Sequence, residues 1–294
     1  MKILIAGSSG LIGSALTAFL QTSEHEVVRL LRSAGEGILW DPKNKSVDIS
    51  ELEGFDAVIN LAGENIADSR WNEAKKKRMR DSRVETTRFL CETFKKLENP
   101  PKVLVNASAL GYYGNVPEGD VTESHPAGKG FLADVCQEWE EATECLMGED
   151  MRIVLLRTGV VLSPKGGALK KMLTPFKLGI GGVIGNGDQM MSWIDIEDLV
   201  RAIYFCIKND SIRGPVNVTA PQPVSNREFT KTLGKVLFRP TIFPMPAFAA
   251  RLAFGEMADE MILTGAKILP ERLTSTGFEF KYPTLESSLN HLLK

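Results

Sequence analysis

The chain predicts a doubly wound parallel α/β fold with a smaller C-terminal lobe, and three observations carry that prediction. The first is the opening: an apolar run Ile3-Leu4-Ile5-Ala6, then Gly7-Ser8-Ser9-Gly10-Leu11-Ile12-Gly13, then the start of an amphipathic run. A β-rich run that ends in glycines and turns straight into helical periodicity reads as strand, tight turn, helix. The second is that apolar strand-like runs and helix-like runs then follow one another along most of the chain. The third is length: 294 residues exceed one typical domain of roughly 100–200 residues. The expected division is a large domain over 1–240, with substrate-side segments at about 165–195 and 215–240, and a small helical domain over 241–294.

The opening has the outline of a dinucleotide site. Gly7 allows a sharp turn out of the strand, Gly10 lets backbone approach a pyrophosphate, and Gly13 lets the helix pack against the sheet. The phosphates then rest on free N–H groups, with Ser9, Leu11 and Ile12 in contact, at a helix N-terminus of partial charge about +0.5. A tight βα turn without a ligand is the alternative. Glu26 to Leu31 is the second strand, and its carboxyl end tests the adenosine ribose. An acid there accepts from the 2′-OH of NAD, but this chain follows Leu31 with Arg32-Ser33 and has no carboxylate until Glu36. A guanidinium in that place suits the 2′-phosphate of NADP (NADPH), through two parallel charge-assisted hydrogen bonds. Arg29 is read as a structural residue buried in the strand's middle.

Ile38 to Trp40 is a short strand, Asp41 to Ser46 a turn, and Phe55 to Gly63 a strand ending in a small-residue bend. There Leu61, Ala62 and Gly63 let a flat ligand lie against the backbone. Trp71 to Leu97 has helical spacing; its Lys75-Lys76-Lys77-Arg78 run reads as a solvated face, and Arg83 either reaches the cofactor or is solvated. Pro100-Pro101 stops that helix. Val103 to Ser108 is the next strand, and hydroxyls cluster beside glycines at its end, so Ser108 and Tyr113 are the candidates to polarise a carbonyl. Aromatic packing is the other role open to Tyr113. An acidic loop (Glu118, Asp120, Glu123), a helix from Phe131 to Met147 and a strand from Arg152 to Leu156 follow. Beyond them lie a helix from Leu169 to Leu178 and five glycines between Gly179 and Gly187, read as a lid or a plain connector. An amphipathic helix covers Asp195 to Asn209, a strand Pro215 to Thr219, and a helix Ser225 to Leu237 with Ser225 and Glu228 forming a capping box. The tail is short helices broken by Pro244, Pro246 and Pro270; Phe248, Phe254, Met257, Met261 and Leu263 make it apolar, and it is expected to cover the open side of a substrate cleft.

Thirty-five basic against 37 acidic residues argue against a nucleic-acid surface. No stretch has 18 consecutive apolar residues and Met1-Lys2 leads directly into a strand, so neither a membrane span nor a signal peptide is expected, and the location is read as cytoplasmic. Cys91, Cys136, Cys145 and Cys206 lack C-x-x-C or zinc spacing, so they are read as reduced packing residues with no metal.

Gly7-x-x-Gly10-x-x-Gly13, Asn60-Leu-Ala-Gly63, Ser108 before Tyr113-Gly114, Arg157-Thr-Gly-Val-Val-Leu162, and Gly185-Asn-Gly-Asp-Gln189 before Trp193-Ile-Asp-Ile-Glu-Asp198 occur in the order and spacing of a known group. The chain resembles the extended short-chain dehydrogenases/reductases, the NAD(P)-dependent epimerase/dehydratase group. Asn60-Leu-Ala-Gly-Glu-Asn65, Gly111-Tyr-Tyr, Trp139-Glu140 and the tail from Met245 to Leu293 are similar to its atypical "epimerase family" subgroup, which has a small C-terminal domain of undefined role. The resemblance implies a Rossmann domain binding NADP, with Val160 among the cofactor contacts; it names no substrate. Two departures matter. The group's catalytic Tyr and Lys lie four residues apart, where this chain has Phe131 and Val135. Sugar-nucleotide enzymes of the group read the substrate diphosphate with an Arg, where this chain has Met190-Met191, and a thioether cannot replace that contact. The expected activity is therefore an NADP-dependent oxidoreductase or epimerase acting on an unidentified small, fairly apolar molecule. The competing reading is a non-catalytic NADP(H)-binding regulatory or interaction protein, and self-association as a homodimer stays open.

Overall fold

The structure, a computed structural model, describes residues 1–294. β1 (Lys2–Ala6) leads through the glycine turn into α1 (Leu11–Thr22), followed by β2 (Glu26–Leu31), β3 (Ile38–Asp41), β4 (Ser46–Val47), β5 (Ala57–Asn60), α2 (Glu73–Phe94) and β6 (Val103–Ala109). Next come β7 (Val116–Val121), α3 (Phe131–Glu141), β8 (Arg152–Thr158), β9 (Val160–Leu162), α4 (Gly167–Lys177), β10 (Met190–Met191), β11 (Trp193–Asp195), α5 (Ile196–Lys208) and β12 (Gly214–Val218). The remainder is β13 (Val224–Ser225), α6 (Asn226–Leu237), α7 (Ala247–Phe254), β14 (Ala266–Ile268), α8 (Glu271–Ser275) and α9 (Leu285–Leu293).

Eight strands make one sheet in the order β12-β8-β6-β5-β1-β2-β3-β4. β1 is parallel to both β2 and β5, β2 to β3, and β5 to β6, while β4 pairs antiparallel with β3. Ile3 to Ala6 are fully buried, as a strand covered on both faces of a parallel sheet must be. The chain winds one way from β1 to β2 and β3, then returns to β5 on β1's other side. The order therefore reverses at β1, with Ala6 level with Asn60. Outside the strand ends at such a reversal is where doubly wound sheets take ligands.

The chain divides into two compact units that interleave: Met1–Ser108, Val135–Leu156 and Ile203–Val216 form the first, and Ala109–Asp134, Arg157–Ala202 and Asn217–Lys294 the second. In the first unit Leu4, Leu30, Trp40, Val58, Leu104 and the α2 residues Phe89 and Phe94 share one core. Arg152 is buried there and donates to the carbonyls of Cys206, Ile207 and Ile212 at 2.8–2.9 Å. The last carbonyls of α5 lack helical partners, and the guanidinium supplies them. Arg29, expected to be buried, is exposed in the middle of β2, because the solvent side of that strand is not covered at this position.

In the second unit α4, α6 and α9 pack around Trp193 through Leu169, Leu173, Phe176, Phe229, Leu233, Leu285 and Leu289. Ser225 caps α6 by accepting from the Glu228 N–H at 3.1 Å. The expected capping box is half made: only the Ser225 bond forms, and the full reciprocal box is at α9, between Thr284 and Ser287. The expected acidic loop is partly a strand, β7, held parallel to β14 with Lys267 paired to Asp120 at 2.7 Å. The helix expected over Phe131 to Met147 stops at Glu141, and a separate short turn follows at Glu144–Leu146.

Candidate functional site

The glycine turn has the geometry its sequence implies. Gly7 has φ +78°, and a Cβ there would stand 2.6 Å from the Leu61 carbonyl carbon. At Gly13 a Cβ would overlap the Gly7 carbonyl and stand 2.7 Å from Ser8 Cα. A side chain at either position would force β1's exit away from the β5 bend or from α1. Gly10 differs: the nearest atom to its would-be Cβ is the Gly7 oxygen at 3.4 Å, and the rest of its surroundings is open. Gly10 is also the N-cap of α1, with no side-chain cap and no acid in the first turn. The first N–H groups of the helix, from Leu11 onward, have no helical acceptor and carry the positive end of the dipole. Beside them Ser9 is exposed, and the buried Ser8 Oγ has no hydrogen-bond partner.

The second edge is the end of β2. Leu31 is half-buried, and Arg32 after it is exposed with no ion pair or hydrogen bond in the chain. The third edge is the bend after β5. The Asn60 amide donates to Thr87 Oγ1 at 2.9 Å and to Asn106 Oδ1 at 2.7 Å, and its oxygen accepts the Ala62 N–H at 3.2 Å. Trp139 Nε1 donates to the same Thr87 hydroxyl at 2.9 Å. This buried network, wholly within the first unit, fixes Leu61 and Ala62. Arg83 lies under Gly63: a Cβ on Gly63 would be 3.3 Å from its Cζ. Its guanidinium donates to the carbonyls of Met79 and Glu64 at 2.9 and 3.0 Å and sits 5.2 Å from the Trp139 ring. Burial holds its pKa below the usual arginine value, and no carboxylate forms an ion pair with it, so its charge suits an anion beside Gly63.

Lys75 corrects the reading of 75–78 as a solvated face. It is 2 % exposed and donates to Glu64 Oε1 at 2.8 Å, Asn65 O at 2.7 Å and Asp68 Oδ1 at 2.5 Å. The Lys75 hydrogen bond is the main cause holding both carboxyls below their ordinary values. The lysine thereby ties the loop between the β5 bend and α2 to the helix that carries Arg83.

Ser108 is buried at the end of β6, and its Oγ donates to Glu140 Oε1 at 2.6 Å. Its single proton is engaged by a carboxylate, so the hydroxyl offers lone pairs where a donor to a carbonyl was expected. Tyr113 and Val160 belong to the second unit. Tyr113 is 1 % exposed; its hydroxyl donates to Asn217 Oδ1 at 2.6 Å and accepts from Arg157 at 2.9 Å. Burial raises its pKa, against the opposing pull of Arg157. Arg157 also lies 3.4 Å from the centre of the Tyr112 ring, and Glu123 Oε1 accepts from the backbone of Asn217 and Arg272 at 3.0 and 3.1 Å. The geometry of Tyr113 is that of a core residue, the packing role its sequence left open, and not of a free proton donor. Val160 is half-buried in β9, with its N–H on Ser192 O at 2.9 Å.

The sequence reading used Asn60, Trp139 and Glu140 only as marks of the resemblance and passed over Thr87 and Asn106; the structure shows that these five residues hold the site. A signal was present, since two apolar runs end alike, in Val-Ile-Asn60 and Leu-Val-Asn106. The glycine cradle, the uncapped helix end, the free Arg32 and the unpaired charge of Arg83 together fit a dinucleotide carrying an extra phosphate.

Comparison with known proteins agrees with this geometry. The family model described as NAD dependent epimerase/dehydratase family matches residues 3–219, and that of a domain of unknown function, DUF1731, matches residues 245–292. The epimerase family protein MT2273 of Mycobacterium tuberculosis is 46 % identical over 98 % of this chain and 96 % of its own. The crystal structure of the human epimerase family protein SDR39U1 with NADPH superposes with TM-score 0.94 at 36 % identity, covering 99 % of each chain. That of a nucleoside-diphosphate sugar epimerase from Corynebacterium glutamicum superposes with TM-score 0.83 at 35 % identity, over all of this chain and 58 % of that one. By sequence model, by relatives and by fold, this chain belongs to the NAD dependent epimerase/dehydratase family.

Proposed function

We propose that the chain binds NADP(H) and uses it as an oxidoreductase or epimerase of the extended short-chain type on a small, fairly apolar substrate. The observation that carries the cofactor reading is the open face of Gly10 at an uncapped helix end, together with an unpaired Arg32 at the end of β2. Ser9 and the N–H groups of Leu11, Ile12 and Gly13 hold the pyrophosphate, and Arg32 holds the 2′-phosphate. Leu31, Leu61, Ala62 and Gly63 line the flat parts, with Arg83 behind Gly63. Val160 joins this set on family resemblance alone.

NADPH, when bound, supplies a hydride to an electrophilic carbon. The protein must then move one proton, and Phe131 and Val135 have no proton to move. We assign the task to Ser108 working through Glu140. A substrate hydroxyl gives its proton to Ser108 Oγ as the Ser108 proton passes to Glu140 Oε1, and the same path reversed protonates a reduced carbonyl. Glu140 here positions and discharges Ser108. Half-buried Met190 and Met191 in β10 offer no guanidinium at the position where sugar-nucleotide enzymes of the group place one, which favours a substrate without a diphosphate.

The non-catalytic reading is favoured by one observation: both candidate hydroxyls donate to protein acceptors, Ser108 to Glu140 and Tyr113 to Asn217. Incubating the purified protein with NADPH and a panel of aldehydes, ketones and quinones separates the two. Nucleoside-diphosphate sugars, the class named for the Corynebacterium relative, form the opposing arm. NADPH consumption with an apolar carbonyl compound supports the enzyme, turnover of a sugar nucleotide refutes the substrate class, and tight binding without turnover of anything supports a binding protein.

A further inference from the structure

Nine of the twelve large hydrophobic side chains that stand exposed on this chain fall in one part of the second unit: Leu178, Ile180, Phe238, Ile242, Phe243, Met245, Phe248, Leu252 and Met261. They sit on stretches that are tied side by side. Arg239 Nε donates to Lys177 O at 2.8 Å, the Met245 N–H to Val183 O at 2.8 Å, and the Gly185 N–H to Met245 O at 2.9 Å. Gly182 lies so close to the Phe243 carbonyl that a Cβ would overlap it. α7 follows at once, with Phe248 and Leu252 one turn apart at 71 % and 75 % exposure. Arg251 on that helix bonds both carboxylate oxygens of Asp259, fixing the stretch that carries Met261. Pro240, Pro244 and Pro246 restrict the backbone between, so the surface is formed in advance.

With residues of this size carrying about 150–250 Å² each, the exposed fractions of these nine amount to roughly 1,000 Å² of largely apolar surface. The largest apolar patch on an ordinary monomer is about 300–600 Å², whereas each partner in a standard stable interface contributes about 800 Å². We propose that this face, built from residues 178–185, 238–245 and α7, is where two copies of the chain associate, the same patch serving on both. Its area matches one half of such an interface, and an apolar face has no charge pattern that a second copy would oppose. The charges around it speak against a lipid surface, which wants unpaired lysines and arginines on the polar side. Here Arg251 is paired with Asp259, Lys235 with Glu286, and Arg239 with a carbonyl, which leaves Lys177, next to Leu178, as a single unpaired cation beside the patch.

Sedimentation velocity of the full chain over a concentration series tests this. The expected result is a species of twice the chain's 32.3 kDa at micromolar concentration. Phe248→Asp with Leu252→Asp, and separately Leu178→Glu, weaken that association at least a hundredfold with unchanged circular dichroism, because all three side chains are exposed in the single chain. A wild type that stays monomeric throughout, or variants that dimerise as well as wild type, overturns the proposal. So does a monomer that floats with phosphatidylcholine vesicles, which would make the face a lipid contact.

Discussion

Replacing Arg32 with alanine separates the two ways in which this chain can hold a dinucleotide. Arg32 is exposed and makes no contact that the fold depends on, so its loss leaves the protein folded and changes only what the end of β2 offers a ligand. NADPH loses one charge-assisted pair to its 2′-phosphate, about 1.5–3 kcal/mol, or roughly ten- to a hundred-and-fifty-fold in affinity. NADH has no phosphate there and loses almost nothing. The contact is open to water, so the difference between the cofactors should narrow as salt is raised. Arg29→Ala is the matched control, since it removes another exposed guanidinium, from the middle of the strand that Arg32 follows. Titration of both cofactors into wild type and the two variants, by intrinsic fluorescence or calorimetry, gives the six dissociation constants. Equal losses for NADPH and NADH in Arg32→Ala, or a larger selective loss in Arg29→Ala, would refute the assignment.

Gly10→Val should abolish binding of both cofactors while leaving the thermal melt nearly unchanged, because only one atom lies within 4 Å of its Cβ position; normal NADPH binding would reduce the opening stretch to a turn. Tyr113→Phe should lower stability by about 1–3 kcal/mol, by stripping Asn217 and Arg157 of a buried partner, with turnover per folded molecule retained; a large fall in kcat would return Tyr113 to the chemistry. Glu140→Gln should cut turnover by about 10²–10⁴-fold with NADPH affinity unchanged, and full activity would end the Ser108–Glu140 assignment. Glu64 and Asp68 have folded pKa values below their unfolded ones, so the stability they lend is complete above about pH 4–5 and fades as pH falls through the folded values. The half-buried Trp71, whose indole bonds Ile66 O at 2.7 Å within that loop, should report the loss as a red shift in emission, absent if the loop is held otherwise.

The opening stretch was legible because it depends on what glycine alone permits: at Gly7 and Gly13 a single Cβ would collide with backbone, so local sequence and tertiary contact make the same demand. Periodicity likewise located the strands, since a parallel sheet buries whole apolar runs. What sequence could not show were side chains whose environment is made by distant parts of the chain. Lys75 sits in a run of four cations and looks solvated, yet a loop ten residues upstream folds back and gives it three acceptors. Arg29 was misplaced for the opposite reason, because a strand's middle is not covered where nothing packs over it. Tyr113 beside Ser108 in sequence suggested one chemical cluster, but the turn at 110–113 sends the tyrosine into a core shared with Arg157 and Asn217.

The replaced Tyr and Lys gain a physical meaning from α3 itself. Phe131, Val135 and Trp139 recur at four-residue spacing, which places them on one helical face. At Trp139 that face packs against Val84 and Ala107 and bonds Thr87, the hydroxyl that also holds Asn60. The stripe that in the family carries a proton donor and its cation is here given over to packing and to fixing the bend at Leu61 and Ala62. Glu140 stands next to Trp139 on the same helix and turns instead to Ser108, at the end of the neighbouring strand. A proton can therefore still be passed from this helix to the strand end, but one step further along it and through a serine. A carboxylate partner can take the proton of an alcohol through the serine, and the same path run backwards from a protonated Glu140 returns it to a reduced carbonyl.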